Sequence, residues 1–311
     1  MDRQEKLFEL FNEQIVGGCV VLVKGNQNFI YTYGKRSLIK NIPVEEDTIF
    51  RIASISKVII DMAVLKLVED KLIDLDEDIS NILGFKVRNP RYLDIPITPR
   101  MLMMHTSSIT NGLNDENREI GYNGVNGHHY FVSLEDLLVN KVSIYYTDQT
   151  FSEFAPGEKY IYSNFGFGIL ACLIEKRTNQ LFTEYVEKHF LKPLNIDASF
   201  KANKIKSQDK ISDTFLSFNT NRTAQSFIEG SYPDFSLGNN FRGPAGGLFI
   251  SMPDLSKIMV ALMNEGKYQD VQLLDKTTVD TLLTMNFLPS QMVEDKQVSI
   301  IGHPGNAYGV T

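Results

Sequence analysis

The chain has 311 residues, 43% of them apolar and 22% charged, which is enough for one large domain or two and excludes a disordered chain. Its 31 basic and 38 acidic residues leave a net charge of −7, and the longest basic clusters are pairs such as Lys35-Arg36, so nothing marks it as a nucleic-acid binder. No apolar run reaches the roughly 18–20 residues of a membrane span.

The charged start Met1-Asp2-Arg3-Gln4-Glu5 is unlike a signal peptide. The expected location is the cytoplasm if Met1 is native, and outside the cytoplasm if a leader was trimmed. Residues 4–14 follow as a surface helix, with Leu7, Phe8, Leu10 and Phe11 at helical spacing. The apolar run 19–24, a turn at Gly25-Asn26 and the run 29–33 predict an antiparallel hairpin. A third short run, 48–52, leads into Ala53-Ser54-Ile55-Ser56-Lys57. From 57 to 70 the chain is apolar nearly all round, the pattern of a buried helix.

The middle of the chain reads as helices over 99–105, 134–140, 165–178 and 183–190, joined by polar loops. Residues 110–127 hold five asparagines and four glycines and read as a long loop of the functional kind. Residues 243–251 form a turn returning to a strand, 254–265 an amphipathic helix, and 297–301 a strand before Gly302-His303-Pro304-Gly305. Cys19 and Cys172 are expected to be buried free thiols, and His128-His129 a loop pair rather than metal ligands. No spacing suggests zinc.

A serine hydroxyl is a weak nucleophile unless a base removes its proton. A lysine can act as that base only when neutral, and burial favours the neutral form. Ser54 and Lys57, three apart at the start of a helix, lie on one face within reach of each other. The same spacing recurs at Ser37 with Lys40 and at Ser207 with Lys210, but in polar segments; Ser54 alone follows a strand-like run and opens an apolar helix. Tyr162-Ser163-Asn164 precedes another helix. Its tyrosine is able to pass a proton to a leaving group and its asparagine to hold a carbonyl, although the triplet also reads as a helix entry capped by Ser163 or Asn164. At His303-Pro304-Gly305 the glycine would let substrate approach the backbone, and the amide of Asn306 would join that of Ser54 as an oxyanion hole. A plain turn is the other reading of that segment.

The order and setting of these segments resemble the serine β-lactamase and penicillin-binding-protein superfamily, in its class C-like branch, which also holds D-aminopeptidases, D,D-carboxypeptidases and esterases. Residues 48–57 resemble its nucleophile segment and 97–108 its "ITxxxLLxHTSG" helix. Residues 154–164 match "F-x-PG-x-x-x-x-YSN", and Ala245-Gly246-Gly247-Leu248 with Pro253-Asp254-Leu255 match its return to the sheet. The resemblance covers most of 15–311. It implies an α+β fold: an antiparallel sheet flanked by helices from 1–80 and 241–311, a mostly helical region over 81–240, and the active site in the cleft between them. In that branch further strands and a C-terminal helix follow the position of Thr311, and they are expected here too.

By the same resemblance Ser54 is the acylated nucleophile, Lys57 and Tyr162 share acid–base duty, and Asn164 orients substrate. His303 and Gly305 line a sheet strand, and the amides of Ser54 and Asn306 form the oxyanion hole. No cofactor or metal is implied. The expected function is a serine hydrolase of ester or amide (peptide) substrates, with a small-molecule or peptide substrate as partner and the oligomeric state open. The alternatives are a β-lactamase or penicillin-binding D,D-carboxypeptidase and, from another class, a non-catalytic scaffold or assembly protein. His303 and Pro304 stand where β-lactamases carry lysine and threonine, which weakens the case for substrates bearing a carboxylate. Ser108 stands where the family often has glycine. An α/β-hydrolase is disfavoured because no Gly-x-Ser-x-Gly elbow occurs.

Overall fold

The computed structural model describes residue 9 and residues 15–25, 27–112, 119–126, 131–285, 291–293, 296–298 and 302–306. The helix expected over 4–14 therefore lies, apart from Glu9, outside the described residues, as do His128 and His129. The N-terminal hairpin forms as expected. β1 (Gly17–Lys24) pairs antiparallel with β2 (Gln27–Ser37), placing Val20 opposite Tyr31 and Leu22 opposite Phe29. β3 (Ile42–Pro43) continues that sheet on the far side of β2.

β4 (Ile49–Arg51) leaves this sheet and pairs instead with β7 (Phe249–Ser251), Phe50 opposite Ile250. This short non-local pairing joins the segment before Ser54 to the 243–251 turn. Between them lie the hairpin β5 (Thr214–Leu216) with β6 (Asn219–Arg222) and most of the helices. Beyond β7 come the small hairpins of β8 (Lys267–Tyr268) with β9 (Val271–Gln272) and of β10 (Gln291–Val293) with β11 (Lys296–Val298).

The helices, in chain order, are α1 (Ser56–Glu69), α2 (Ile79–Leu83), α3 (Pro99–Met103), α4 (Gly121–Val125), α5 (Leu134–Leu138), α6 (Asn164–Thr178), α7 (Phe182–Val186), α8 (Ala224–Glu229), α9 (Met252–Met263) and α10 (Lys276–Met285). α1 and α6 pack against each other at the centre, and α6 is buried continuously from Phe165 to Glu175. A helix apolar on every side has nowhere to go but the core. Ser163 opens α6, its Oγ accepting from Gly166 N at 2.9 Å, and left-handed Asn179 closes it.

Several expectations need correction. The loop read over 110–127 contains the one-turn helix α4; its residues 113–118 and 127 lie outside the described set. The helix expected to reach His105 stops at Met103, because His105 itself adopts a left-handed backbone with φ 57°. Residues 302–306 carry no strand, which agrees with the missing N–H of Pro304. Cys172 is buried, but Cys19 on β1 is only half-buried; both thiols are free. Among the described residues no helix is long and apolar enough to cross a membrane.

Candidate active site

Ser54, the candidate nucleophile, sits on a tight turn. β4 ends at Arg51, the 3-10 turn Ala53–Ile55 follows, and α1 begins at Ser56. Ala53 is fully buried with φ 46°, a conformation that costs an L-residue about 1–2 kcal/mol. The surrounding hydrogen bonds hold it there. Ile52 N donates to Leu248 O at 2.9 Å, Ser56 Oγ to Ala53 O at 2.6 Å, and Leu248 N to Ser56 Oγ at 3.1 Å. Ser56 thus stitches the turn to β7, and Ser54 is left half-buried.

Lys57 is completely buried. Its Nζ lies 3.1 Å from Ser54 Oγ, 2.8 Å from Asn164 Oδ1 and 2.8 Å from Ala245 O. Burial pushes the ammonium down to about 7, with Asp61 pulling the other way. The two carbonyl oxygens only accept, so each takes one N–H of the neutral amine. The remaining lone pair then points to Ser54 Oγ, the one neighbour of the three able to donate a proton. Tyr162 Oη lies 2.6 Å from the same Oγ. Burial raises the phenol's pKa above its ordinary value, so at neutral pH it stays protonated and donates to Ser54. The serine oxygen is therefore placed to accept from Tyr162 while donating to Lys57.

His105, which residue type and spacing do not single out, holds this arrangement from behind. Its Nδ1 accepts from Ser163 N at 3.1 Å and its carbonyl accepts from Ile161 N at 2.7 Å. Its ring lies 4.5 Å from that of Tyr162. Burial, helped by Lys57 and His303, pushes the imidazole down to about 3, so Nδ1 keeps the lone pair it needs as acceptor. His105 and Ser108 both have a left-handed backbone (φ 57° and 65°), the conformation a glycine adopts most freely. Ala245 is a second contribution that residue types do not reveal, because it acts through its carbonyl.

The structure brings Ser54, Lys57, Tyr162 and Asn164 into one hydrogen-bonded set. It sets the 302–306 segment beside the nucleophile turn: a Cβ on Gly305 would stand 2.5 Å from Ile52 O and 3.0 Å from Ile55 Cγ1. The close approach that needs a glycine is thus made by the chain's own backbone rather than by substrate. Asn306 is exposed. His303 Nδ1 lies 2.7 Å from Pro304 O and donates to it, and burial lowers the imidazole pKa from its ordinary value, so His303 is mainly neutral near pH 7.

The family model described as Beta-lactamase matches residues 5–311. The chain belongs to this family. Among curated relatives, Protein flp of Staphylococcus aureus (strain MRSA252) is 27% identical over 202 residues, 64% of this chain and 38% of that protein. The chain thus spans well under half the length of the curated relatives it matches. Solved beta-lactamase-like folds superpose on most of the chain. The octameric penicillin-binding protein homologue from Pyrococcus abyssi aligns with TM-score 0.68 and 20% identity over 99% of this chain and 64% of its own. The D-amino acid amidase from Ochrobactrum anthropi SV3 aligns with TM-score 0.68 and 19% identity over 97% of this chain and 82% of its own. The α+β fold with short antiparallel sheets is the fold of this family.

Proposed function

We propose that this beta-lactamase family chain is a serine hydrolase that cleaves esters or amides through an acyl-enzyme on Ser54. The observation that carries the reading is the buried Lys57 amine, 3.1 Å from Ser54 Oγ with its other two partners both carbonyl oxygens. Neutral Lys57 takes the Ser54 proton as Oγ attacks the substrate carbonyl, and the tetrahedral oxyanion is held by backbone amides, among them that of Ser54. On collapse the leaving amine or alcohol takes a proton from Tyr162, and the Lys57 proton makes good that loss. Water then attacks the ester by the reverse relay. The Nδ2 of Asn164, whose Oδ1 is occupied by Lys57, is the donor for a substrate carbonyl. A scaffold has no use for an amine kept near 7.

Substrates without a carboxylate beside the scissile bond are favoured, since His303 is mainly neutral where β-lactamases keep a lysine. The D-amino acid amidase likeness supports an amide of this kind. The test is fluorophosphonate labelling of the protein, with the modified peptide located by mass spectrometry. Labelling at Ser54 is expected, with none in Ser54→Ala; an unlabelled but folded protein would exclude the reading. Penicillin that blocks labelling by forming a lasting Ser54 adduct would shift the assignment to a penicillin-binding enzyme.

A further inference from the structure

Behind the Gly243–Gly247 turn lies a second cavity, of about 120 Å³, whose lining includes none of Ser54, Lys57, Tyr162, Asn164 or His303. This is close to the ~150 Å³ that admits a benzene ring in an engineered apolar cavity. Phe182, Phe200, Phe227 and Phe249 supply apolar walls. Four cationic side chains and two carboxyls share the lining: Arg51, Lys201, Arg222 and Arg242 with Glu175 and Asp234.

Both carboxyls are already engaged. Asp234 pairs with Lys201, and Glu175 accepts from Gly238 N at 2.7 Å, Phe182 N at 3.1 Å and Asn240 Nδ2 at 3.2 Å. Arg242 is buried, with its guanidinium 4.5 Å from the Phe235 ring and Nη1 reaching Val125 O. Arg51 and Arg222 are different. Arg51 donates Nε to Gly246 O at 2.9 Å, and Arg222 donates Nη2 to Ser226 O at 3.3 Å while lying 4.1 Å from the Phe227 ring. Among the described residues no carboxylate stands within ion-pair distance of either. Burial and the charge of Arg222 both push Arg51 below the ordinary guanidinium range.

Arg51, half-buried beside aromatic walls in a protein of net charge −7, lacks the counter-charge that such a group ordinarily keeps, and the exposed Arg222 lines the same space. We propose that this cavity is a binding site for a small aromatic or branched aliphatic carboxylate, its apolar body between the phenylalanines and its carboxylate between Arg51 and Arg222. A monoanion fits better than a phosphate dianion because Asp234 and Glu175 line the same space. The site meets the catalytic one along two stretches of backbone: Arg51 ends the strand that runs into the Ser54 turn, and it donates to Gly246 O, next to the Ala245 O that accepts from Lys57.

The test is calorimetric titration of the intact protein at fixed ionic strength with sodium benzoate, benzyl alcohol and inorganic phosphate, on wild type and Arg222→Gln. The expected result is saturable benzoate binding, no binding of the uncharged alcohol or of phosphate at the same concentration, and about tenfold or greater loss of benzoate affinity in Arg222→Gln. Arg222→Lys, which keeps the charge and loses the fork, gives an intermediate affinity and guards against a folding artefact. Equal binding of benzyl alcohol would make the cavity merely apolar. Phosphate binding as tight as benzoate, unchanged affinity in a folded Arg222→Gln, or no benzoate binding at all would each overturn the proposal.

Discussion

At the scale of single residues, Lys57 shows how burial makes a base from a side chain that is ordinarily an acid at neutral pH. Because the neutral amine is the active form, Ser54 labelling should rise with pH through a midpoint at about 7 and level off above it. A profile flat from pH 5 to 8, or one rising only near the ordinary lysine value, would contradict the assigned role. His105 acts through others and is a positioning residue. His105→Asn keeps an acceptor near Ser163 N and tolerates the left-handed backbone, whereas His105→Leu leaves that N–H unpaired. We expect labelling to fall about tenfold or more in His105→Leu and to recover in His105→Asn, with the pH midpoint unmoved in both. A shifted midpoint would mean that His105 works on Lys57 rather than on Tyr162. The pairing of Ser54 with Lys57 was legible from spacing and setting alone. The clamp was not, since a backbone conformation and a ring contact across residues 105 and 162 leave no spacing rule to read.

Among the elements, α6 sets the tolerances. A Cβ on Gly168 would come within 2.3 Å of Phe241 O, so helix and following chain touch backbone to backbone. Helix propensity alone favours alanine by about 1 kcal/mol. Overpacking against a main-chain oxygen outweighs that gain, and Gly168→Ala should lose about 1–2 kcal/mol net. Thermal unfolding checks this; a melting temperature at or above wild type would show that Phe241 yields freely. Long apolar elements such as α1, α6 and the β1–β2 hairpin were readable because periodicity and turn residues agree. α2, α8, α10 and the β5–β6 hairpin were not, because they are short or mixed in polarity, and their faces are defined by what they pack on. α4 hid in an Asn/Gly-rich stretch for the same reason.

For the whole molecule, holding an amine in the core ties stability to pH. Lys57 takes its proton at about 7 when folded and at its ordinary value of 10.5 when unfolded. Between those values the unfolded chain binds more protons, so this residue's contribution to stability rises with pH across that window. Urea midpoints measured from about pH 7 to about pH 9 should therefore climb in wild type relative to Lys57→Met. Parallel curves for the two proteins would mean that Lys57 keeps its ordinary proton affinity in the core. By itself the sequence pointed to the fold class and to Ser54, Lys57, Tyr162 and Asn164 as a candidate set, because Ser–Lys spacing and strand-to-helix order are local properties and the remaining motifs carry the family resemblance. Only the tertiary structure decided that Ala245 offers its carbonyl, that His105 braces Tyr162, and that Arg51 and Arg222 share a cavity. Those contacts join residues about 60 to 190 positions apart through β4, β7 and the packing of α1 on α6, and no local pattern encodes what meets across such distances.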